Sequence, residues 1–366
     1  MEQWLHMQPP SRRPIRVLVV DDSAFMRSTI ARLLEGDPEF QVVGNASDGL
    51  EAIEKVEQLG PDVVTMDVEM PRMTGIEALD VIMHRVPTPV VMLSVFTTSG
   101  ASTTIDALAK GAIDFVTKPS RGPWGDVDSV TDELKEKLRR AASISPMRLH
   151  LARAPVSSPP LVEAMEAPPA SPPREKRRSR KVVVIATSTG GPAALTQLIP
   201  SLPGDLPAGV LVVQHMPAGF TRALADRLDG ISQLSVREAR AGEPVQDGTA
   251  LIAPGNFHMV VDSSRNIELN LDPPVHSVRP AADVLLSSVA RAYGGSTVAV
   301  VLTGMGHDGA AGATEIKQAG GHVIVQDEPT SVIYGMAASV VEAGSADVIA
   351  PLPHIAVRIV QACGLT

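Results

Sequence analysis

Short apolar runs that recur along the chain constrain its fold more than any other feature. In the N-terminal part they occupy residues 17–20, 63–66, 90–93 and 115–117. Continuous apolar runs of this length are typical of strands buried on both faces of a parallel sheet. Apolar residues at helical spacing separate the runs, for example Met26, Ile30, Leu33 and Leu34. This alternation of strands and helices predicts a doubly wound α/β sheet.

The same pattern returns in the C-terminal part, with apolar runs at 182–185, 210–213, 298–302 and 323–325. A second doubly wound parallel sheet is therefore predicted. Three further apolar runs have no helical segment between them, at 251–253, 258–261 and 267–271. With the polar turn at 263–266, they predict a β-hairpin excursion from the second sheet.

A sharp change in composition between about residues 141 and 180 separates these two parts. Segments 154–160 and 167–173 are rich in proline, which lacks a backbone donor and disfavours helix and sheet interiors. We predict a first domain at 15–135, a flexible Pro-rich linker with a basic end at 136–180, and a second domain at 181–366.

Composition disfavours several classes of protein. The formal net charge of −9 and the aromatic content of 3% both argue against a nucleic-acid binder. No apolar run approaches the ~20 residues needed to cross a bilayer, so direct membrane insertion is not expected. Cys363 is the only cysteine, which excludes an intramolecular disulfide and suits a reducing compartment. A cytoplasmic protein is expected.

Polar residues follow four predicted strands of the first domain: Asp21, Asp22, Asp67, Ser94 and Lys118. Each alone would pass for a helix cap or a turn residue. Functional residues of open parallel sheets lie beyond the carboxyl ends of the strands, so these five are expected together. Three carboxylates at one edge repel one another without a cation, and oxygen ligands favour Mg²⁺. We predict a Mg²⁺ site where the central Asp67 is a nucleophile toward a phosphodonor.

The motifs around these residues resemble the receiver domains of bacterial response regulators over about residues 15–134. The matching segments are 21–27 (DDSAFMR), 67–71 (DVEMP) and 118–119 (KP). The resemblance implies that Asp67 accepts phosphate from a histidine kinase, and that Ser94 and Phe115 form a hydroxyl and aromatic switch pair. It also implies that four groups hold Mg²⁺: the side chains of Asp21, Asp22 and Asp67 and the backbone carbonyl of Glu69.

A serine occupies the first strand-to-helix turn of the second domain. Segment 186–192 reads ATSTGGP, close to the G-x-S-x-G nucleophile elbow with Ala186 in the first position. Small neighbours would expose the Ser188 hydroxyl. By itself, the segment fits equally well a loop that binds phosphate through backbone N–H groups.

Two later strand ends supply a base and an acid. His215 follows the run 210–213, and Asp308 lies beyond 298–302. A serine hydroxyl needs a base within hydrogen-bond reach, and that base needs an orienting carboxylate. Ser188, His215 and Asp308 are therefore predicted as a catalytic triad, and the backbone N–H groups of 304–306 as donors to an oxyanion.

The remaining histidines are weaker candidates. His307 adjoins Asp308, but neighbours on a loop usually point apart, so it is predicted to be exposed. Surface or structural roles are predicted for His258, His276, His322 and His354. No two histidines stand at ligand spacing with a nearby carboxylate, which disfavours a metal hydrolase.

Motifs in the second domain resemble the catalytic domain of the CheB family of chemotaxis methylesterases, from about residue 181 onward. They are 188–191 (STGG), 214–217 (QHMP), 219–221 (GFT), 253–255 (APG), 302–306 (LTGMG) and 308–309 (DG). Together with the receiver and the linker, the resemblance covers nearly the whole chain. The family usually has Gly-Ala before the serine, where this sequence has Ala186 and Thr187.

The resemblance implies hydrolysis of glutamate γ-methyl esters on methyl-accepting chemoreceptors, and deamidation of receptor glutamines. It further implies phosphorylation by a CheA-type histidine kinase, no cofactor for the esterase, and Met305 N–H as the best candidate oxyanion donor. Two alternatives remain at this stage. A DNA-binding response regulator is disfavoured because the second half lacks a compact helical unit and a basic face. A non-catalytic signalling scaffold on the same fold is the other.

Overall fold

The computed structural model describes residues 13–95, 97–118, 127–144 and 177–365. They form two units, each built on a parallel sheet of its own. Most of the predicted linker and Pro119 lie outside the described residues. Within the described part, no helix has the length and apolar character needed to cross a membrane.

The first unit has a five-stranded sheet in the order β2-β1-β3-β4-β5. Its strands are β1 Ile15–Val20, β2 Phe40–Ala46, β3 Val63–Asp67, β4 Val90–Val95 and β5 Asp114–Lys118. The helices that follow these strands along the chain are α1 Ala24–Glu35, α2 Gly49–Leu59, α3 Gly75–Arg85, α4 Thr98–Ala109 and α5 Val127–Ala142. β1 pairs in parallel with β2 and β3, and β3 with β4, which confirms the predicted doubly wound sheet.

Local sequence explains these elements. Ser23 caps α1 by accepting a hydrogen bond from Met26 N, and Ile30 and Leu34, one turn apart, bury the inner face of the helix. β2 is an edge strand in which only Phe40 and Ala46 are buried, so it carries no continuous apolar run. Helix α5 continues to residue 142, beyond the predicted domain end at 135.

The second unit has a seven-stranded sheet in the order β14-β13-β12-β6-β7-β9-β8, and all its pairings are parallel. Its strands are β6 Val182–Thr187, β7 Gly209–Gln214, β8 Ser235–Glu238, β9 Thr249–Ile252, β12 Thr297–Val301, β13 His322–Gln326 and β14 Val348–Ala350. A separate antiparallel hairpin consists of β10 His258–Val261 and β11 Ile267–Asn270.

Within residues 177–365, six helices accompany this sheet: α6 Gly191–Leu198, α7 Phe220–Asp229, α8 Ala282–Tyr293, α9 Ala310–Gln318, α10 Met336–Glu342 and α11 Leu352–Cys363. Short 3₁₀ turns follow α6 and α8, at Ile199–Ser201 and Gly294–Ser296. Met259 and Ile267 of the hairpin are buried in the same core as Leu285 and Leu286 of α8. The hairpin is therefore an integral part of this unit.

One part of the hairpin prediction is wrong. Residues 258–261 and 267–270 do form the hairpin, but 251–252 belong to β9, which lies in the main sheet between β7 and β8. The prediction grouped 251–253 with the hairpin because no helical segment separates the three apolar runs, as it does between the other predicted parallel strands. The segment 239–248 that joins β8 to β9 contains no helix, so the parallel crossover is made by a loop.

Residues before β6 also pack into the second unit. Ser179 is buried, and its hydroxyl donates to Asp247 Oδ1 at 2.6 Å. Arg178 pairs with Gln246 in an isolated antiparallel bridge. Residues that pack into this unit thus begin before residue 181, while the three predicted domain ranges as a whole stay a prediction.

The strand order places a topological switch point in each unit. In the second unit the chain passes from β6 to β7 on one side and later returns to β12 on the other side of β6. Loops that leave neighbouring strands in opposite directions open a crevice at the carboxyl edge of the sheet. A site is therefore expected among the residues that follow β12, β6 and β7.

Candidate active site and phosphoacceptor site

Two carboxylates share one ammonium group at the carboxyl edge of the first sheet. Lys118 Nζ lies 2.7 Å from Asp21 Oδ2 and 2.5 Å from Asp67 Oδ2. Asp21 is fully buried and Asp67 is 8% exposed, whereas Asp22 is exposed. The structure thus brings the predicted phosphoacceptor and the predicted lysine into direct contact.

Burial governs the electrostatics of this cluster. It raises the pKa of Asp67 above the ordinary value, and the hydrogen bond and charge of Lys118 offset this only in part. The charges of Asp21 and Asp22 raise the pKa of Asp67 further. Burial lowers the pKa of Lys118, but its hydrogen bonds to Asp21 and Asp67 outweigh that effect and leave this pKa raised. An additional cation near the carboxylates would favour their ionised forms.

The donor set at this edge fits Mg²⁺. Carboxylate oxygens of Asp21, Asp22 and Asp67 lie within 4.8 Å of one another. Oxygen donors with room for water are what this hard cation prefers. Glu69, whose backbone carbonyl is the fourth predicted ligand, is exposed on the loop after β3.

The two predicted switch residues are buried on neighbouring strands. Ser94 is 1% exposed on β4, and Phe115 is 3% exposed on β5. The Lys137 ammonium lies 5.0 Å from the centre of the Phe115 ring, within the range of a cation–π contact. The Phe115 ring is therefore packed inward in this structure.

Three adjacent strands position the predicted triad in the second unit. Ser188 directly follows β6, His215 directly follows β7, and the loop after β12 carries Asp308. His215 Nε2 lies 2.7 Å from Asp308 Oδ2. The His215 side chain is 11% exposed and that of Asp308 is 3% exposed. The structure therefore brings the predicted base and acid together in a mostly buried pair.

Backbone N–H groups at the start of α8 hold the Asp308 carboxylate. Ala282 N donates to Oδ2 at 2.6 Å, and Asp283 N donates to Oδ1 at 2.9 Å. Burial alone would raise the pKa of Asp308, but the hydrogen bonds from His215, Asp283 and Ala282 outweigh it, and the pKa lies below its ordinary value of 3.8. Asp308 is consequently ionised at neutral pH.

Ser188 lies in a tight turn against the loop after β12. Its N–H donates to Thr303 O at 3.1 Å, and its carbonyl accepts from Gly191 N at 2.8 Å. A Cβ on Gly304 would lie 2.9 Å from Ser188 Cβ, so only glycine permits this approach. Within the described part of the chain, the Ser188 hydroxyl makes no hydrogen bond. The Ser188–His215 hydrogen bond of an assembled triad is therefore not formed here, as is common in substrate-free sites.

One backbone N–H group of the predicted oxyanion loop, residues 304–306, already makes a hydrogen bond within the chain. Gly304 N–H donates to Ile333 O at 3.0 Å, so it is not available as a donor to an oxyanion. Met305, the next residue, is 42% exposed beside the serine turn. Its N–H stays the predicted donor to an oxyanion. His307 is exposed as expected, and its ring centre lies 4.3 Å from that of His276.

Sequence reasoning missed a glutamine that joins the serine and histidine loops. Gln214 is 2% exposed, and its Nε2 donates to Ser188 O at 3.0 Å and to His215 O at 3.1 Å. Its place at the end of β7, beside the predicted base, was the available signal. The Thr187 hydroxyl donates to Thr303 O at 2.9 Å, so this departure from the usual family motif adds a link between the β6 and β12 loops.

Comparisons with known proteins match both halves of the chain. The family model described as CheB methylesterase matches residues 183–359, and that described as response regulator receiver domain matches residues 17–123. A Symbiobacterium thermophilum protein named protein-glutamate methylesterase/protein-glutamine glutaminase is 52% identical over 356 residues, which are 96% of this chain and 98% of that protein. This chain belongs to the CheB methylesterase family.

Two further relatives match this chain over different lengths. A Pyrococcus horikoshii protein named protein-glutamate methylesterase/protein-glutamine glutaminase is 47% identical over 357 residues, which are 97% of this chain and 95% of that protein. The crystal structure of the Thermotoga maritima CheB methylesterase catalytic domain is 46% identical, covers 50% of this chain and 97% of that chain, and gives a TM-score of 0.49.

The matched ranges contain the candidate residues. The CheB methylesterase range includes Ser188, His215 and Asp308, and the receiver range includes Asp67 and Lys118. A receiver domain implies Mg²⁺-dependent phosphorylation in general terms. The expectation of a two-domain CheB-type protein, made from sequence motifs, is confirmed.

Proposed function

We propose that this chain is a phosphorylation-regulated protein-glutamate methylesterase that also deamidates protein glutamine, in two-component chemosensory adaptation. Its substrates are glutamate γ-methyl esters on methyl-accepting chemoreceptors. The observation that carries the proposal is the 2.7 Å contact between His215 and Asp308 at the strand ends that flank Ser188. The 52% identity to a protein-glutamate methylesterase/protein-glutamine glutaminase supports the reaction class.

Ester hydrolysis proceeds through an acyl-enzyme. The Ser188 hydroxyl attacks the ester carbonyl while His215 takes its proton at Nδ1, because Nε2 is engaged by Asp308. The imidazolium is stabilised by ionised Asp308 and returns the proton to the departing methoxide, which leaves as methanol. Water then attacks the acyl-enzyme with the same base and releases glutamate. Met305 N–H donates to the oxyanion in both steps.

The receiver site supplies the regulation. Asp67 attacks the phosphoryl group of a CheA-type histidine kinase, and the Ser94 hydroxyl donates to a phosphoryl oxygen. Lys118, already 2.5 Å from Asp67, stays near the added negative charge. A bound Mg²⁺ would neutralise charge on the phosphoryl oxygens, and its ligands would be Asp21, Asp22, Asp67 and the backbone carbonyl of Glu69. Phe115 serves as the aromatic partner of Ser94 in the switch. A cytoplasmic location and the absence of nucleic-acid binding stay predictions.

A methanol-release assay tests this function. Radiomethylated receptor is incubated with the wild type, Ser188→Ala and the control Ser201→Ala, each with and without a small-molecule phosphodonor. Loss of a triad member costs up to ~10⁶-fold in kcat, so Ser188→Ala should release no methanol above background. Ser201 is exposed and donates to Gln197 O, so Ser201→Ala should match the wild type. Wild-type turnover by Ser188→Ala would exclude the serine mechanism.

A further inference from the structure

We infer that Asp283 is a positioning residue of the catalytic site, because Asp283 and Asp308 cap each other's helices. The inference rests on the proposed function, in which Asp308 is the acid of the triad. Asp283 was not a candidate in the sequence analysis, since it lies in the first turn of α8 and follows no strand.

Neither helix is capped by its own N-cap residue. Ala281 precedes α8 and Gly309 precedes α9, and neither makes a side-chain capping hydrogen bond. The first N–H groups of a helix have no partner within that helix, and leaving them buried and unpaired costs free energy. Both helices therefore need an acceptor from elsewhere in the chain.

Each helix receives that acceptor from the other. Asp308, just before α9, accepts from Ala282 N at 2.6 Å and from Asp283 N at 2.9 Å, both at the start of α8. Asp283 Oδ1 in turn accepts from Gly309 N at 3.0 Å and from Gly312 N at 2.7 Å, both at the start of α9. Two carboxylates thus exchange four backbone hydrogen bonds.

Close packing and burial make this exchange rigid. A Cβ on Gly312 would lie 2.4 Å from Leu286 Cβ, so a glycine is needed for α8 and α9 to approach. Asp283 is 8% exposed and Asp308 is 2% exposed. The two buried carboxylates repel each other. The four N–H donors and the positive ends of the two helices compensate for this repulsion.

A metal ion is a weaker explanation for the same cluster. Ligand atoms of His276, Asp283 and Asp308 do lie within 4.8 Å of one another. However, all four carboxylate oxygens already accept hydrogen bonds, since His276 Nε2 lies 2.9 Å from Asp283 Oδ2 and His215 and backbone groups occupy the others. A cation would have to displace these donors. The geometry favours mutual capping.

The consequence for catalysis follows from chain adjacency. Asp283 holds Gly309 N, the amide that directly follows Asp308. Without the Asp283 carboxylate, two buried N–H groups lose their acceptor and the loop that orients Asp308 toward His215 is released. A misplacement of about 1 Å in a catalytic group lowers the rate on the order of 10²-fold.

Substitution of Asp283 in the full chain tests the inference. Asp283→Ala should lower kcat by about 10- to 100-fold with KM within about threefold, because substrate contacts are untouched. Asp283→Asn keeps an oxygen that can accept from Gly309 N and Gly312 N, and it should recover most of kcat. Asp347→Ala is the matched control, since this carboxylate accepts from Val323 N at 2.8 Å and pairs with Lys317 of α9 at 3.1 Å. The Asp347→Ala variant should have a lower Tm and an unchanged kcat.

A spectroscopic readout separates positioning from general destabilisation. The low-field proton resonance of His215 Nε2–H reports its contact with Asp308. It should shift or broaden in Asp283→Ala and stay unchanged in Asp347→Ala. If Asp283→Ala does not fold, Asp283→Ser, whose shorter side chain reaches the N–H groups less well, takes its place with a smaller loss of kcat.

A folded Asp283→Ala or Asp283→Ser with wild-type kcat and an unchanged resonance would overturn the inference. Failure of the wild type itself to release methanol would instead refute the proposed function. In that case the resonance and the thermal unfolding of the same variants still decide whether Asp283 positions Asp308.

Discussion

His215 faces Asp308 through Nε2, at 2.7 Å from Oδ2. A neutral imidazole has one N–H donor and one acceptor nitrogen, so the tautomer that donates to Asp308 leaves Nδ1 to take the serine proton. In the chymotrypsin-type triad the two nitrogens have the opposite roles. The proposed mechanism therefore uses the same three groups with the imidazole reversed.

Asp308→Asn should lower kcat by about 10⁴-fold, since an amide cannot hold His215 in the required tautomer. The substituted amide would also place N–H groups against the backbone donors of α8. Turnover of methylated receptor by the purified variant is the measurement. Asp262→Asn is the control, because that carboxylate accepts from Asn266 N in the hairpin turn, and its kcat should equal the wild-type value. A loss below tenfold in Asp308→Asn would contradict the assigned role.

Asp308 should also make stability depend on pH. The pKa of Asp308 in the folded chain lies below its ordinary value of 3.8. Its carboxylate therefore adds to the free energy of unfolding above pH 3.8, and this contribution is lost as the pH falls through the lowered pKa. At pH 7 the wild type should exceed Asp308→Asn by about 2 kcal/mol in free energy of unfolding, the usual size for hydrogen bonds to a charged group. Urea denaturation between pH 2.5 and 7 should show this difference shrinking below about pH 4. A difference that is constant across the range would be inconsistent with an ionised Asp308.

Gly304→Ala should impair the nucleophile directly. The new Cβ would lie 2.3 Å from Met336 Sδ and 2.9 Å from Ser188 Cβ, so the serine turn must move. We expect a loss of kcat of about 10²-fold or more. Gly344→Ala is the control: it has φ +67° and open space around it, so it should cost about 1 kcal/mol of stability and leave kcat unchanged. Equal kcat for the two variants would show that Gly304 does not fix Ser188.

Gln214→Met should lower both stability and turnover. Methionine keeps the length of the side chain but cannot donate to the carbonyls of Ser188 and His215. The His215 carbonyl would lose this donor, while the Ser188 carbonyl would keep only Gly191 N. Loss of these hydrogen bonds costs about 1–3 kcal/mol, and kcat should fall about tenfold as the two loops lose their link. Thermal unfolding and methanol release measure the two effects. Gln361→Met, at an exposed position of α11, should change neither.

Removal of Mg²⁺ should affect only the receiver chemistry. A chelator should abolish labelling by a radioactive phosphodonor, as should Asp67→Asn, whereas the control Asp80→Asn on α3 should retain labelling. Basal methanol release without phosphodonor should be unchanged by the chelator, because the triad uses no metal in the proposed mechanism. Labelling that survives both treatments would place the phosphoacceptor elsewhere.

Buried strands were predictable from the sequence, whereas the edge strands β2, β8 and β14 were not. All six residues of β6 are buried, so its apolar run is continuous and distinct. β14 buries only Ala350 fully, and β8 only Val236, which leaves no run to detect. β9 was recognised as a strand but assigned to the hairpin, because a helix-free parallel crossover has no sequence signature of its own.

The rule that functional residues follow parallel strands correctly predicted which side chains lie in contact. It brought Lys118 to Asp67, and His215 to Asp308. It could not indicate Asp283, because the groups that Asp283 caps are backbone N–H groups, which every residue but proline carries. Nor could it give the direction of the Ser188 hydroxyl, since rotation about χ1 costs little and is set by neighbours in the folded chain.

The exchange of caps between Asp283 and Asp308 constrains how such a site can change over generations. A substitution that removes the acceptor oxygens of either aspartate leaves two amide protons of the opposite helix unpaired in the interior, so a path through such a substitution passes through a damaged intermediate. A redesign of Asp308, the acid of the proposed triad, therefore has to begin with Asp283 across the helix junction.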